Sequence, residues 1–263
     1  MPELPDVEIL RRYLQATSLQ RRIEGVFLRE QLVEGTSPQT IRRNLQDSAL
    51  DYTRRHGKHL FAHASHGGWL RLHFGMTGTL QAYSTGSQPE HTELRLDLED
   101  GTHLAYVCTR KLGAISWVGD IDDFLEDHRL GPDPLVDPPE EARFMEMIRS
   151  HRGTIKGLLM NQERLAGLGN VYVDEILFQA GIHPRSEASA LTEDDAAGVW
   201  EATGSVIEGA IERKADPERL PRDWLLPHRS PDERCPVCRS PIERTRVTGR
   251  ATYSCTGHQE LVA

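Results

Sequence analysis

The sequence predicts an α+β protein of two domains: an N-terminal antiparallel β-sandwich with a leading helix, then a helical domain that ends in a β-hairpin. Three observations predict this fold. Short apolar runs separated by turn residues fill the chain up to residue 118, helical periodicity dominates from about residue 140, and two cysteine pairs lie near the end. A chain of 263 residues can bury a substantial core and suits one or two domains.

The first domain is expected over residues 1–131. Residues 5–20 carry apolar side chains at helical spacing. The strand-like runs that follow are LFAHA, WLRLHF, LRLDL, HLAYVC and AISWV, separated by Gly-rich or charged turns. Leu94, Leu96 and Leu98 alternate with Arg95 and Asp97, as in a half-buried strand. Several short antiparallel strands indicate a sandwich or a barrel.

The second half is expected to be helical. The proline-rich and acidic stretch over 132–139 is interpreted as a linker, and 140–222 as a helical domain. Thr192 is a plausible N-cap, since acidic residues fill the turn that follows it. Residues 223–263 are expected to hold a connector and the hairpin, and the stretch 215–233 contains four prolines.

Composition excludes several classes of protein. Hydrophobic residues make up 38% and charged residues 27% of the chain, an ordinary globular composition. No apolar run approaches the roughly 20 residues that cross a bilayer, and the N-terminus MPELPDVEIL lacks the pattern of a secretory signal. Four cysteines are too few for a disulfide scaffold. We therefore expect a cytoplasmic protein without a membrane partner.

The net charge of −9 is unevenly distributed and does not exclude a nucleic-acid partner. The stretch 120–146 has ten acidic residues and two arginines, which gives −8. The stretch 234–258 has five arginines and one glutamate, which gives +4. A basic end on an acidic chain is either a solvated surface or a phosphate-binding face. If DNA is the partner, the acidic stretch is expected to face away from it.

The cysteine pairs predict a structural zinc site. Cys235 and Cys238 are followed by Cys255 and His258, in the spacing C-x2-C-x16-C-x2-H. Two such pairs on the turns of a hairpin can close a tetrahedral site for one Zn2+. Disulfides are the alternative, which the lack of a secretory signal disfavours. Between the pairs, Arg250 follows a glycine at the expected hairpin tip, where a guanidinium can contact phosphate.

The N-terminus offers a second kind of chemistry. Methionine is normally removed before proline, which would leave Pro2 as a free secondary amine with a pKa of about 8. Such an amine is partly neutral at pH 7 and can attack an aldehyde-like carbon, with Glu3 beside it to transfer protons. Many chains, however, begin with Met-Pro for no catalytic reason.

These residues are part of a motif series that resembles one known family. The motifs, in chain order, are PELPDVE (2–8), GK (57–58), HFGMTG (73–78), RKLG (110–113), GLGNVY (167–172) and the cysteine hairpin. This series closely resembles the formamidopyrimidine-DNA glycosylase / endonuclease VIII family of base-excision repair, along the whole chain.

The resemblance implies a fold, an activity and roles for particular residues. It implies a helix–two-turn–helix element, a zinc-finger hairpin, and a monomer that acts on damaged double-stranded DNA as a glycosylase and abasic-site (AP) lyase. The implied roles are nucleophile (Pro2), proton transfer (Glu3), active-site support (Glu8), phosphate binding (Lys58, Asn170, Arg250), and filling of the space that a flipped base leaves (Met76, Arg110, Leu112).

The chain departs from the family pattern at several positions. Cys108, Thr109 and Leu112 replace Asp, Pro and Phe of the usual D-P-R-[RK]-F-G, and His258 replaces the last cysteine of the zinc site. We expect Cys108 to be a buried small side chain. The segment before the zinc site is rewritten relative to the family's V-Y-G-R-x-G-x-P-C, which weakens the expectation of 8-oxoguanine as substrate.

Three functions therefore compete, the first of them with two alternative substrate preferences. The leading hypothesis is a bifunctional glycosylase/AP lyase that favours oxidised purines. Its closest alternative is endonuclease VIII-like specificity for oxidised pyrimidines, abasic sites or unusual lesions. The others are a non-catalytic DNA-binding protein of the same fold and a zinc-hairpin interaction protein without a DNA role.

Overall fold

A computed structural model describes residues 2–84, 86–230 and 233–263. The chain forms two compact units. The first comprises Pro2 and Asp6–His128, and the second comprises Glu3–Pro5 and Arg129–Ala263. The N-terminal residues are therefore divided between the units.

The first unit is built on two antiparallel sheets of four strands. One helix, α1 (Leu4–Ser18), leads into it. The strands are β1 (Ile23–Leu28), β2 (Leu50–His56), β3 (His59–Ala64), β4 (Trp69–His73), β5 (Gly78–Tyr83), β6 (Thr92–Leu98), β7 (His103–Cys108) and β8 (Ala114–Val118). The strand orders are β1-β6-β7-β5 and β2-β3-β4-β8. This arrangement confirms the β-sandwich that the short apolar runs predict.

Burial in the sheets follows the pattern expected from the sequence. Leu94, Leu96 and Leu98 of β6 are buried in the core of the unit. Arg95 and Asp97, between them, point the other way and form an ion pair with an Nε–Oδ1 distance of 2.7 Å. Cys108 is fully buried in the same core, as expected.

Two further helices of this unit were not predicted. Ser37 caps α2 (Pro38–Leu45) by accepting a hydrogen bond from the amide of Thr40, and proline occupies the first turn. Its apolar side chains, Ile41 and Leu45, are buried. This helix is too short for a clear periodicity against the surrounding strand-like runs. Asp120 caps α3 (Ile121–Asp127) in the same way.

The second unit is mainly helical. Its helices are α4 (Glu141–Ser150), α5 (Ile155–Leu159), α6 (Asn170–Gln179) and α7 (Glu193–Glu212). Thr192 caps α7 and forms a capping box with Asp195, which confirms the predicted N-cap. Leu4 belongs to the apolar core of this unit, together with residues of α4 to α7. Together with the hairpin, these helices confirm the predicted α+β architecture.

The proline-rich stretch that precedes α4 is partly buried. Asp133 is fully buried, and its carboxylate accepts hydrogen bonds from the amides of Leu135 and Val136 at 3.0 and 3.2 Å. The other nine acidic residues of the stretch 120–146 are exposed. Most of the charge of −8 therefore lies on solvent-facing side chains.

The second unit ends in a two-stranded hairpin, β9 (Glu243–Val247) and β10 (Arg250–Ser254). Val247 pairs with Arg250, so the turn consists of Thr248 and Gly249. Both turn residues have positive φ, as a tight two-residue hairpin turn requires. The connector that precedes the hairpin includes residues 231 and 232, which lie outside the described residues.

Among the described residues, no helix combines the length and the apolar character that a membrane span requires.

Candidate functional site

The carboxylate of Glu3 lies at the N-terminus of α6. It is fully buried, and its two oxygens accept hydrogen bonds from the amides of Val171 at 3.0 Å and Tyr172 at 3.2 Å. The amide of Leu4 donates to the carbonyl of Gly167 at 3.0 Å. The first amides of a helix lack partners within the helix and attract negative charge. The segment that follows Pro2 is thus bound to the start of α6.

Gly169, the N-cap of α6, allows this contact. A Cβ at this position would lie 2.3 Å from Cδ of Glu3 and 2.4 Å from its Oε1. The backbone of Gly169 is extended, with φ −140° and ψ −167°, a conformation that any residue adopts. The requirement for glycine is therefore the space that Glu3 occupies.

Glu8, in the second turn of α1, is surrounded by a group of arginines. Its side chain accepts a bidentate pair of hydrogen bonds from Arg11 at 2.7 and 2.8 Å and one from Arg12 at 2.9 Å. Arg55 of β2, which is buried, donates through Nε at 3.3 Å. Burial raises the pKa of Glu8, but hydrogen bonds from Arg11 and Arg12 outweigh this effect and lower it from 4.5 to about 2.

Arg55 connects Glu8 to the turn that carries Lys58. Its Nη1 donates to the carbonyl of Gly57 at 3.1 Å. Gly57 and Lys58 form the two-residue loop between β2 and β3, and Gly57 has a φ of +54°. Such a φ favours glycine, which explains the Gly-Lys pair. Pro2 and Lys58 are both half-buried.

Two loops bring Met76, Arg110 and Leu112 into one region of the first unit. The amide of Arg110 donates to Oγ1 of Thr77 at 3.0 Å, which ties the β7–β8 loop to the β4–β5 loop. A Cβ on Gly75 would lie 2.2 Å from the carbonyl oxygen of Leu112, so the two backbones touch there. The side chains of Met76 and Leu112 are 41% and 52% exposed, so each of these two adjoining loops presents a large apolar side chain to solvent.

Asn170, the first residue of α6, contacts the hairpin. Its Nδ2 donates to the carbonyl of Ala251 at 2.9 Å, and its Oδ1 is buried without a partner among the described residues. Arg250, the residue before Ala251, is exposed at the hairpin tip. The amides of Val171 and Tyr172, which follow Asn170, are occupied by Glu3. Phosphate binding at this end of α6 would therefore depend on side chains rather than on those two amides.

Three of the four expected zinc ligands lie together. The sulfurs of Cys235, Cys238 and Cys255 are all within 4.8 Å of one another, and those of Cys238 and Cys255 are 3.4 Å apart. These separations fit one tetrahedral ion with metal–sulfur distances of about 2.3 Å. Hydrogen bonds from Ser240 lower the pKa of Cys238 from 9.0 to about 7, which favours its thiolate, whereas burial raises the pKa of Cys255 to about 12.

His258 does not belong to this group of sulfurs. Its Nε2 lies 3.0 Å from the carbonyl oxygen of Phe178, and its ring packs 4.6 Å from the Phe178 ring. Metal-binding histidines commonly donate one ring N–H to a carbonyl and bind the ion through the other nitrogen. His258 as the fourth ligand stays a prediction.

Three residues that organise this site had no role predicted from the sequence. Arg55, Gly169 and Asp174 each contact a predicted site residue or the strand that carries one. Asp174 lies four residues after Asn170, and this spacing places both on one face of a helix. That spacing is the only sequence signal for Asp174, whereas the contacts of Arg55 and Gly169 join distant parts of the chain.

The low pKa of Glu8 predicts a pH-dependent stability. A carboxyl whose pKa falls from 4.5 to about 2 on folding stabilises the protein above pH 4.5, and this contribution is lost as the pH falls toward 2. Glu8→Gln should lower the free energy of unfolding at pH 6 by about 3 kcal/mol, and the deficit should shrink toward pH 2. Urea unfolding at pH 6, 4 and 3 measures the difference.

Glu24→Gln, at an exposed position of β1, is the matched control and should leave the unfolding curve unchanged at each pH. If the loss of unfolding free energy in Glu8→Gln stayed constant from pH 6 to pH 3, the low pKa of Glu8 would be contradicted.

Comparison with known protein families identifies both halves of the chain. Residues 1–115 match the formamidopyrimidine-DNA glycosylase N-terminal domain, and residues 130–220 match the formamidopyrimidine-DNA glycosylase H2TH domain. The chain is 30% identical to the formamidopyrimidine-DNA glycosylase of Laribacter hongkongensis, over 98% of this chain and 100% of that protein. It is 32% identical to that of Geobacter metallireducens, over 97% and 98% of the two chains.

Solved structures give the same result. Lactococcus lactis formamidopyrimidine-DNA glycosylase, non-covalently bound to DNA with an AP site, superposes with a TM-score of 0.90, at 26% identity over 98% of this chain and 99% of that one. MutM in complex with DNA that contains carbocyclic 8-oxoguanine superposes with a TM-score of 0.88, at 27% identity over 98% and 100%. Domain matches, full-length relatives and fold together show that this chain belongs to the formamidopyrimidine-DNA glycosylase family.

Proposed function

We propose that this protein is a bifunctional DNA glycosylase and AP lyase that removes oxidised bases from double-stranded DNA and favours purines such as 8-oxoguanine and formamidopyrimidine. The observation that carries the proposal is the buried contact between Glu3 and the start of α6. This contact fixes the residue next to Pro2, and a nucleophile must be held in place to react efficiently.

The first step uses the N-terminal amine of Pro2 after Met1, which lies outside the described residues, has been removed. The neutral nitrogen forms a bond to C1′ of the damaged nucleotide as the glycosidic bond breaks, and the proton that the nitrogen gives up leaves with the base. Glu3 takes up a proton from solvent and passes it to O4′ as the C1′–O4′ bond opens, which gives an iminium ion.

The second step cuts the strand. Loss of a C2′ proton from the iminium expels the 3′ phosphate, and a second elimination expels the 5′ phosphate. Water then hydrolyses the iminium and frees Pro2. The product is a one-nucleotide gap with phosphates at both ends.

Residues of both units contribute to DNA binding in this proposal. Lys58 of the β2–β3 loop, Asn170 of α6 and Arg250 of the hairpin tip bind backbone phosphates. The exposed side chains of Met76 and Leu112, together with Arg110, fill the space that the flipped base leaves. Support comes from the related structures, which are complexes with damaged DNA. The division expected from sequence, with 140–222 as the DNA-binding helical domain, is part of this proposal, as is a cytoplasmic location.

Oxidised pyrimidines are the second candidate substrate class. Leu112 provides a smaller apolar surface than the usual phenylalanine. In the connector, the amides of Leu225 and Leu226 donate to the buried carboxyl of Glu175 at 3.1 and 2.7 Å, so this segment is tied to α6. A connector held in this way has less freedom to close over a bulky purine, which favours a smaller or absent base.

One structural Zn2+ is the proposed cofactor, held by Cys235, Cys238 and Cys255 with His258 as the fourth ligand. Three clustered sulfurs support the first part of this proposal. A closed site of four protein ligands supplies stability rather than chemistry. It would fix the base of the hairpin, at whose tip Arg250 lies.

Borohydride trapping tests the nucleophile and the lesion class in one experiment. Duplexes with 8-oxoguanine, formamidopyrimidine, thymine glycol, dihydrouracil or an abasic site are incubated with protein under one salt condition. We expect a trapped covalent complex with the abasic and oxidised-purine duplexes. Pro2→Gly should reduce trapping and strand cleavage about a hundredfold or more, as when a group acting on the reacting atoms is removed.

Pro38→Gly makes the same change at the start of α2 and should retain the activity. Wild-type cleavage rates for Pro2→Gly would contradict the role of Pro2. Trapping only with the pyrimidine lesions would favour the second substrate class. Binding of abasic DNA without cleavage or trapping would favour a non-catalytic protein.

Metal analysis tests the zinc proposal. The purified protein should contain one Zn2+ per chain, and Cys255→Ser should lose it together with most of the affinity for an uncleavable abasic-site duplex. His258→Cys should keep the metal, because a cysteine supplies an equivalent ligand. Full zinc content and unchanged affinity in His258→Ala would show that His258 is not a ligand.

A further inference from the structure

Asp174 of α6 is a buried carboxylate that joins four parts of the second unit. It is fully buried, as is Lys156 of α5, whose Nζ lies 2.5 Å from its Oδ1. Its Oδ2 accepts hydrogen bonds from Nε and Nη2 of Arg229 in the connector, at 3.1 and 2.8 Å. The amide of Tyr253 in β10 donates to the same oxygen at 3.1 Å.

These contacts hold β10 along one face of α6. Asn170 and Asp174 are four residues apart, so their side chains project from the same face of the helix. Asn170 bonds to Ala251, and Asp174 bonds to Tyr253. Lys156 also donates to Oγ1 of Thr252 at 2.7 Å, so three consecutive residues of β10 are attached.

The charges of the group depend on one another. Two cations, Lys156 and Arg229, face a single carboxylate, and the guanidinium of Arg229 lies 4.7 Å from the ring centre of Tyr253. A buried ion that loses its partner is strongly destabilised. The positions of both cations, and of the strand that they contact, therefore depend on Asp174.

A two-stranded hairpin is marginally stable by itself and needs such an attachment. Arg250 immediately precedes the three attached residues of β10 and is exposed. An arginine binds phosphate more tightly when its backbone is already fixed, because less freedom is lost on binding.

We propose that Asp174 is a positioning residue for DNA binding: by fixing β10 to α6, it sets the positions from which Asn170 and Arg250 bind the DNA backbone. This inference rests on the proposed function, since it requires that these two residues contact phosphate. Asp174 itself does not touch DNA in this account.

The test compares Asp174→Asn with wild type on a duplex that carries a tetrahydrofuran abasic analogue, which cannot be cleaved. Dissociation constants are measured between 50 and 300 mM salt. We expect affinity to fall about 10- to 100-fold, the effect of losing a hydrogen bond to a charged group. The slope of log affinity against log salt should fall by about one, the change expected on loss of one phosphate contact.

Two comparisons separate positioning from a general loss of stability. Asp216→Asn makes the same change in an exposed ion pair with Arg219 and should behave as wild type. Arg250→Ala should reproduce the lower slope, and adding Asp174→Asn to it should change the slope little further. A merely structural role of Asp174 would lower the melting temperature without altering the slope of the folded protein.

The outcomes distinguish a failure of this proposal from a failure of the proposed function. This proposal would be overturned if folded Asp174→Asn kept the wild-type affinity and salt slope while both were reduced in Arg250→Ala. The proposed function would then remain intact. Wild-type binding by Arg250→Ala and Asn170→Ala would instead contradict the proposed phosphate contacts. If Asp174→Asn does not fold, Arg229→Gln is measured instead, because this variant keeps the ion pair of Lys156 and Asp174. A lower salt slope for Arg229→Gln supports the proposal, and an unchanged slope overturns it.

Discussion

The contact between the Glu3 carboxylate and the first amides of α6 is the interaction on which the site depends. It attaches the N-terminal segment to a helix start, where negative charge is stabilised. Because Pro2 directly precedes Glu3 in the chain, its position follows from that of Glu3. The contact is buried, and burial strengthens a hydrogen bond to a charged group. In the proposed function, the amine of Pro2 thereby acquires a fixed neighbour.

Helix α6 also holds the connector and the hairpin of the second unit, through the consecutive acidic residues Asp174 and Glu175. Glu175 binds the connector through the amides of Leu225 and Leu226, and burial raises its pKa to about 7. Asp174 binds Lys156, Arg229 and the hairpin. The first residue, Asn170, contacts the hairpin directly. One helix of ten residues therefore fixes the N-terminal segment, the connector and the hairpin that bears Arg250.

Most of the fold could be predicted from the sequence, because its signals are local. Alternation at Leu94, Leu96 and Leu98 predicts a strand, and the cap at Thr192 predicts a helix start, and both are confirmed. The pair Gly57-Lys58, which forms the short β2–β3 loop, was also recognisable as a motif in the sequence. What the sequence could not predict are contacts between distant segments: Arg55 with Glu8, Gly169 with Glu3, and Asp174 with Tyr253. Their specificity arises from tertiary packing, which leaves no periodic pattern.

The dependence of Pro2 on the contact between Glu3 and α6 is tested most directly by the rate at which Gly169→Ala is trapped by borohydride on an abasic-site duplex. The backbone at residue 169 suits any residue, and the three atoms nearest an alanine Cβ there belong to Glu3, so alanine displaces that side chain. Gly204→Ala in α7, where a Cβ meets no atom within 4 Å, is the matched control. We expect trapping to fall about a hundredfold for Gly169→Ala, since small displacements of reacting groups have effects of that size, and to proceed at the wild-type rate for the control. Trapping by folded Gly169→Ala at the wild-type rate would contradict this dependence.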